Sequence, residues 1–531
     1  LGRFFIRFSG SLKAIRACRE SFRQPENLRQ PLPPKQPENP LPRFQAAFIR
    51  SRKQRYNRAP LTHTNRKNIM ADADLHAAAE ADLVYRLEDK PPFAKSLLSA
   101  VTHLLAIFVP MVTPALIVGK ALNLPAEMTA YLVSMAMVAS GIGTFLQVSR
   151  FGPLGSGLLS IQSVNFSFVG VMISLGLGMK AGGVDENAMV STLLGVSFAG
   201  AFLVCGAAWL LPYLKRVITP TVSGVVVLLI GLSLIDVGIT DFGGGFHTKG
   251  SDAFGSLQNI GLAAFVLVVV LLFNCMRNPF LRMSGIAVGL VAGYLAALAM
   301  GMVDFSPLHN TPLFTVPVPF KYGFAFDWSA FWVAAVIYLL SVFEAVGDLT
   351  ATAMVSGQPY EGDAFQSRLR GGVFADGLVS VIATALGSLP LTTFAQNNGV
   401  IQMTGVASRH IGRYIAAILV LAGLFPAVGR LFTTIPSPVL GGAMVLMFGL
   451  IAIAGVRIIM THGINRREAV IAATAVGIGL GVAFEPEVFK TLPEVFRNAI
   501  AAGGITAVLL NLILPRDAQD KPVYLSENEG K

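Results

Sequence analysis

Apolar stretches of about 20 residues, broken by short polar turns, recur from residue 97 to residue 514. That length is what a helix needs to cross a hydrocarbon core roughly 30 Å thick. The pattern predicts fourteen membrane segments, at 97–119, 128–148, 156–176, 188–211, 217–238, 259–275, 281–302, 330–355, 371–387, 390–407, 411–433, 437–455, 468–484 and 498–514. Lipid satisfies no backbone hydrogen bond, so each segment must be helical, or irregular only where protein or a watery cavity shields it. Two stretches belong to the second kind. The third, GSGLLSIQSVNFSFVG (155–170), and the tenth, PLTTFAQNNGVIQMTG (390–405), carry too much Ser, Thr, Asn, Gln and Gly to face lipid as regular helices.

The chain also repeats itself. Residues 218–235, ITPTVSGVVVLLIGLSLI, align with 436–453, PSPVLGGAMVLMFGLIAI, matching Pro220 with Pro438, Gly224 with Gly442, Val227 with Val445, Leu228 with Leu446 and Gly231 with Gly449 at one offset. These are segments five and twelve, seven apart, and a repeat of seven spans must enter the membrane from the opposite side. Inverted repeats of this kind put their binding site where the halves meet, commonly at broken helices. The two irregular segments are the third of each half. The fold class expected is therefore an all-α polytopic membrane protein of two inverted seven-segment repeats, with half-helix and short-strand segments at three and ten.

Composition agrees: 53% of the 531 residues are hydrophobic, 13% are charged and the mean hydropathy is +0.62, which no soluble domain could hide in its interior. The formal charge of +11 suggests a polyanion binder until it is located. Residues 1–69 hold 16 Lys and Arg against 3 Asp and Glu, so the remainder carries about −2 and no nucleic-acid partner is expected. At Met70 the Arg- and Pro-rich extension gives way to MADADLHAAAEADLVYRLEDKPPF, and Met70 reads as the start of the native protein; a basic tail near anionic lipid and a transit peptide are the rival readings. The organisation expected is a disordered extension (1–69), a leader (70–96), the first repeat (97–302), a periplasmic linker (303–329), the second repeat (330–514) and a tail (515–531). Arg and Lys collect in the loops that share a side with the leader, so leader and tail are both expected in the cytoplasm.

The chemistry concentrates in the second half. Glu344 and Asp348 lie one helical turn apart in the apolar run 331–355. A charge near mid-bilayer costs about 2.5 to 3.5 kcal/mol, so such residues mark a substrate or ion pathway. Asp376 reads as completing the set of intramembrane acids, and His103 as the histidine within a span. Cys18, Cys205 and Cys275 have no metal-ligand spacing, and neither a metal site nor an organic cofactor is expected. G-x-S-x-G and G-x-x-x-x-G-K-[ST] motifs are absent, which speaks against an enzyme or an ATP-driven pump.

Gln396-Asn397-Asn398-Gly399, four further residues, then Thr404-Gly405 resembles the signature of the nucleobase–ascorbate transporter (nucleobase:cation symporter 2) family. YRLEDKPPF, THLLAIFVPMVTPALIVG, GSGLLSIQSVNFSF, LSVFEAVGDLTATAMVS and FADGLVS extend the likeness to the bacterial xanthine permease branch over residues 82–515. The resemblance implies a proton symporter for xanthine, multi-pass in the bacterial inner membrane, divided into core and gate domains and assembled as a homodimer in lipid. It departs from the pattern at Thr102, where many relatives have Gln before the histidine, and nothing in the family matches residues 1–69.

By resemblance Glu344 binds substrate, and an ionised carboxylate can accept two ring N–H groups. Gln396 offers a donor and an acceptor side by side for another edge of the base. Phe166 is suited to stack on a planar purine, while Asn165 and Asn397 tune selectivity and site shape; a fixed interhelical hydrogen bond is the plainer reading for each. Gly399 lets backbone approach closely, and Thr404 and Gly405 close the signature. Asp376, Asp348 and His103 form the network through which Glu344 communicates with the coupled proton. Uric acid and uracil remain alternative substrates, and an anion transporter or channel of the same architecture is the rival of a different class, one that would prefer cations at the midplane.

Overall fold

The structure, a computed structural model, describes residues 83–515 apart from 215–218, 279–280, 283, 307–313, 361 and 461–463. The expectations for the extension 1–69, for residues 70–82 of the leader and for the tail beyond 515 lie outside the described residues.

Helices or strands overlie every apolar stretch. The first half contains α1 (Phe93–Ala121), α2 (Ala126–Ser149), strand β1 (Gln162–Val164), α3 (Ser167–Ala181), α4 (Glu186–Leu214), α5 (Pro220–Phe242), α6 (Leu257–Asn274) and α7 (Gly285–Ala299). The second contains α8 (Trp328–Val355), α9 (Gly362–Ala385), strand β2 (Leu391–Thr393), α10 (Gln396–Thr404), α11 (Arg409–Leu424), α12 (Pro426–Thr433), α13 (Ser437–Met460), α14 (Arg466–Phe484) and α15 (Ala499–Ile513). Among the described residues seven helices are long and apolar enough to cross a membrane, or up to nine if each of two bent pairs is one span. One bent pair is α11 and α12, which turn by 75° at Phe425-Pro426, where the proline cannot donate to the helix ladder. Segment eleven, expected as one stretch, is thus two helices.

Both irregular segments are a short strand followed by a helix. β1 pairs antiparallel with β2 in the register Gln162↔Thr393, Ser163↔Thr392 and Val164↔Leu391. Asn165 N–H donates to the Pro390 carbonyl (3.0 Å) and Phe394 N–H to that of Ile161 (2.9 Å), so the ladder runs past both strands. Each strand thereby supplies the backbone partners the other lacks, which is how non-helical chain survives at this depth. Antiparallel pairing of equivalent segments is what a two-fold axis between the halves requires.

The other equivalent pair, α5 and α13, also packs face to face. A Cβ at Gly231 would sit 2.4 Å from the Ala452 nitrogen, and one at Gly455 2.3 Å from that of Leu228. Glycine lets these backbones touch, the usual device of helix association in lipid. Around this pair pack α6, α7, α14 and α15, whereas α1, α2, α4, α8, α9, α11 and α12 pack about the strand crossing. Contacts between the two groups run chiefly through α8.

The leader is used. Val84 and Tyr85 N–H both donate to the Gly405 carbonyl (2.8 and 3.1 Å), Ala407 N–H donates to that of Tyr85 (2.9 Å), and Arg409 N–H to that of Leu87 (3.0 Å). Arg409 Nε also donates to the Glu88 carboxylate at 2.9 Å. The segment therefore lies as an added strand along residues 405–409, where α10 ends at Gly405 in the left-handed conformation (φ 67°) that caps helices.

Candidate functional site

Glu344 and Asp348 sit on one face of α8, and α8 packs against β2, α3 and α10. Ser167, the first residue of α3, donates its hydroxyl to Glu344 Oε2 at 2.7 Å. Asn165 stands beside the same carboxylate, with its Nδ2 short of a hydrogen bond to any described group. Glu344 is half-buried, and Ser167 and Asn165 are the side chains that interact with its carboxylate. A carboxylate has acceptor capacity for further donors beyond these.

Gln396 opens α10 directly after β2. It is half-buried, and its side-chain amide has no hydrogen-bond partner among the described residues. Ala395, Gly399 and Gln402, spaced at helical intervals, are exposed, so α10 turns an open face outward beside Gln396. The Cβ position of Gly399 meets no protein atom within 4 Å. The close approach expected there is not made by protein; the missing side chain leaves room. The N-termini of α3 and α10 both begin beside the strand crossing, where their first N–H groups are taken up locally, Ser167 N–H by Asn165 Oδ1 and Asn397 N–H by the Phe394 carbonyl.

The other expected residues are engaged in structure. Asn397 is buried; its Nδ2 donates to the Leu159 carbonyl (2.7 Å) and its Oδ1 meets His103 Nδ1 at 3.0 Å. That amide orientation makes Oδ1 the acceptor, so His103 carries its proton on Nδ1. His103 Nε2 is then a buried acceptor without a partner among the described residues. Asn165 Oδ1 accepts from Ser167 N–H (2.7 Å). Phe166 is 6% exposed and meets Phe448 of α13 edge to face, ring centroids 5.8 Å apart. Thr404 bonds back to the Val400 carbonyl at 2.7 Å.

Asp376 is the hub of the crossing. Its Oδ1 accepts from Gln147 Nε2 and Gln162 Nε2, both at 2.8 Å, and its Oδ2 from Thr392 Oγ1 (3.0 Å) and Thr393 N–H (3.4 Å). A carboxylate, which only accepts, suits four donors. Gln147 Oε1 in turn accepts from Ser156 N–H at 2.9 Å, so one amide ties α2 to α9 and to the loop before β1. Asp348 is held more loosely, by Thr393 Oγ1 at 3.5 Å.

Sequence reasoning passed over Gln147, Gln162 and Ser167, although a Gln inside the apolar stretch 128–148 was a signal. It also missed two acids. Asp236 lies within α5, so Glu344, Asp348 and Asp376 are not the only intramembrane acids; Asp241 ends the same helix, buried, in electrostatic reach of Lys120. The Lys120 ammonium itself donates to the Ile435 carbonyl. Among the described residues no cluster of His, Cys, Asp and Glu could hold a metal.

The model of the Permease family (Xan_ur_permease) matches residues 94–488. The chain belongs to that family, the nucleobase–ascorbate transporters. It is 67% identical over 441 residues to the xanthine permease XanQ of Escherichia coli K12, covering 82% of this chain and 95% of the relative. To XanP of the same strain it is 44% identical over 447 residues (83% and 96%). To the nucleobase transporter PlUacP of Paenibacillus larvae it is 35% identical over 434 residues (80% and 96%). Among solved structures it resembles the transmembrane domain of the cyanobacterial bicarbonate transporter BicA, with a TM-score of 0.50 at 15% identity over 80% of this chain and 99% of that one. It also resembles the murine anion transporter Slc26a9, with a TM-score of 0.54 at 12% identity over 80% and 68%. At such identities the likeness is one of fold. The permease family is thus combined here with the inverted-repeat architecture of those transporters.

Proposed function

We propose that this membrane protein imports xanthine by proton symport across the bacterial inner membrane. The observation that carries the reading is the pair of half-buried polar groups at the strand crossing, the Glu344 carboxylate and the Gln396 amide, in a chain whose similar relatives include two named xanthine permeases. Xanthine presents ring N–H donors next to carbonyl acceptors. The Glu344 carboxylate accepts an N–H, and the Gln396 amide pairs with an adjacent N–H and C=O. A base lacking one of these atoms leaves a partner unsatisfied, at a cost of about 1 to 3 kcal/mol. The anion-transport reading fits less well, because a carboxylate stands where an anion would need a cation.

The proton travels through the acids of α8. Glu344 receives it where it can sense the ligand, with Asp348 one turn away, while Asp376 holds the strands and His103 braces α10 through Asn397. The protein crosses the membrane fourteen times as two inverted repeats, with the group of helices around the strand crossing as the moving core and the α5–α13 group as the gate. It works as a homodimer in lipid with both ends cytoplasmic, and uses no metal or organic cofactor.

Labelled-base uptake into cells stripped of their own purine permeases tests this. Uptake should be saturable, competed best by unlabelled xanthine over uric acid, hypoxanthine and uracil, and abolished by a protonophore. Uptake indifferent to the protonophore, or competed better by another base, would refute it.

A further inference from the structure

A terminal carboxylate rotates freely about its last torsion, so a lone Glu makes a poor ruler for a flat ligand. Glu344 is not free to do so. Its Oε2 accepts from Ser167 Oγ at 2.7 Å, and Ser167 is itself buried at the first position of α3. The Ser167 N–H donates to Asn165 Oδ1 (2.7 Å), the two-residue side-chain turn that Asn readily forms. Asn165 N–H is anchored in turn to the Pro390 carbonyl (3.0 Å), at the start of the strand that leads into Gln396. A continuous run of hydrogen bonds therefore links the segment bearing Gln396, through Asn165 and Ser167, to the carboxylate of Glu344.

We infer that Ser167 is a positioning residue for substrate recognition, seated by Asn165. This rests on the reading of Glu344 and Gln396 as the groups that grip the base. Ser167 decides which carboxylate oxygen meets the ligand and holds its plane relative to the Gln396 amide. Without that hydroxyl the carboxylate must be ordered when the base arrives, which weakens binding while leaving the transport step intact. Asn165 is 2% exposed; its Oδ1 holds the Ser167 N–H, and its amide stands beside the Glu344 carboxylate as well.

Uptake kinetics of Ser167→Ala, Ser167→Thr and Asn165→Ala, with membrane levels measured alongside, test this. Ser167→Ala should raise KM for xanthine about tenfold with maximal rate within about twofold of wild type, and Ser167→Thr, which keeps the hydroxyl, should restore KM to within about threefold. Asn165→Ala, which unseats the Ser167 N–H and removes the amide beside Glu344, should raise KM at least about threefold. If Ser167→Ala fails to reach the membrane, Ser167→Cys, a weaker donor of similar volume, must raise KM at least about threefold. A wild-type KM in Ser167→Ala, Ser167→Cys or Asn165→Ala, or a Ser167→Thr as impaired as Ser167→Ala, would overturn the inference. Failure of the unmodified chain to take up xanthine would instead sink the functional reading on which it rests.

Discussion

The two broken segments begin alike and are used differently. In segment three, the side chains around β1 turn mainly into the protein: Gln162 donates to Asp376, Ser167 N–H to Asn165 and Ser167 Oγ to Glu344, and Phe166 packs on Phe448. In segment ten, Asn397 is consumed in the same way, but Gln396 and the exposed face of α10 are left open. One strand–helix unit mainly braces, and its counterpart leaves open the amide to which the proposed function gives the reading of the base. An inverted repeat supplies two copies of the same geometry, and side-chain chemistry alone then divides the labour.

Substitutions can break that division in order of expected size. Asp376→Ala should be the most damaging, since it strands the buried donors of Gln147, Gln162 and Thr392. At about 1 to 3 kcal/mol for an unsatisfied donor, a loss of about 3 kcal/mol or more is expected. Thermal unfolding of the purified protein in detergent should show it, and a wild-type melting temperature would remove Asp376 from its bracing role. Asn397→Ala comes next. It leaves the Leu159 carbonyl and His103 Nδ1 without partners, so about 2 kcal/mol of stability should go while KM moves less than about threefold; the reverse pattern would make Asn397 a reader.

Gln396→Ala sharpens the contrast from the other side. Its amide holds nothing among the described residues, so melting should not change while KM for xanthine rises about tenfold, or about 1.4 kcal/mol. Lowered melting with intact KM would mean that the open face of α10 does not read substrate. The smallest effect belongs to the leader. Glu88→Ala removes an exposed ion pair with Arg409 and should cost less than about 1 kcal/mol, because the backbone bonds to Gly405, Ala407 and Arg409 persist. A larger drop in the melt would mean that the side-chain pair, not the added strand, holds the leader in place.

Much of this is legible in the sequence. Alternation of apolar runs and polar turns falls on helices or strands throughout, although seven to nine helices among the described residues are long and apolar enough to span; the excess of Ser, Asn, Gln and Gly picks out the two segments that open on a strand. Glu344 stands out because a carboxylate in an apolar run demands a purpose. Ser167 does not, since a serine in a segment already rich in serines carries no signal until its hydroxyl is found 2.7 Å from a residue 177 positions away. Gln147 is nearly as silent: its partners come from α9 and from the loop before β1. The leader reads as a plain cytoplasmic stretch, and only the tertiary structure lays it along residues 405–409.

The order of residues by itself determined that the chain lives in a membrane and that it is built twice over, and it singled out an acid and an amide as candidates for the site. These follow from hydropathy and residue type, which are local properties. Which amides brace and which remain open was decided by the tertiary structure alone. Asn397 and Gln396 are neighbours of nearly equal chemistry, yet a step of about 100° around a helix turns one toward Leu159 and His103 and leaves the other without a partner among the described residues. Hydrogen bonding depends on distance and direction, and for groups hundreds of residues apart the fold alone sets both.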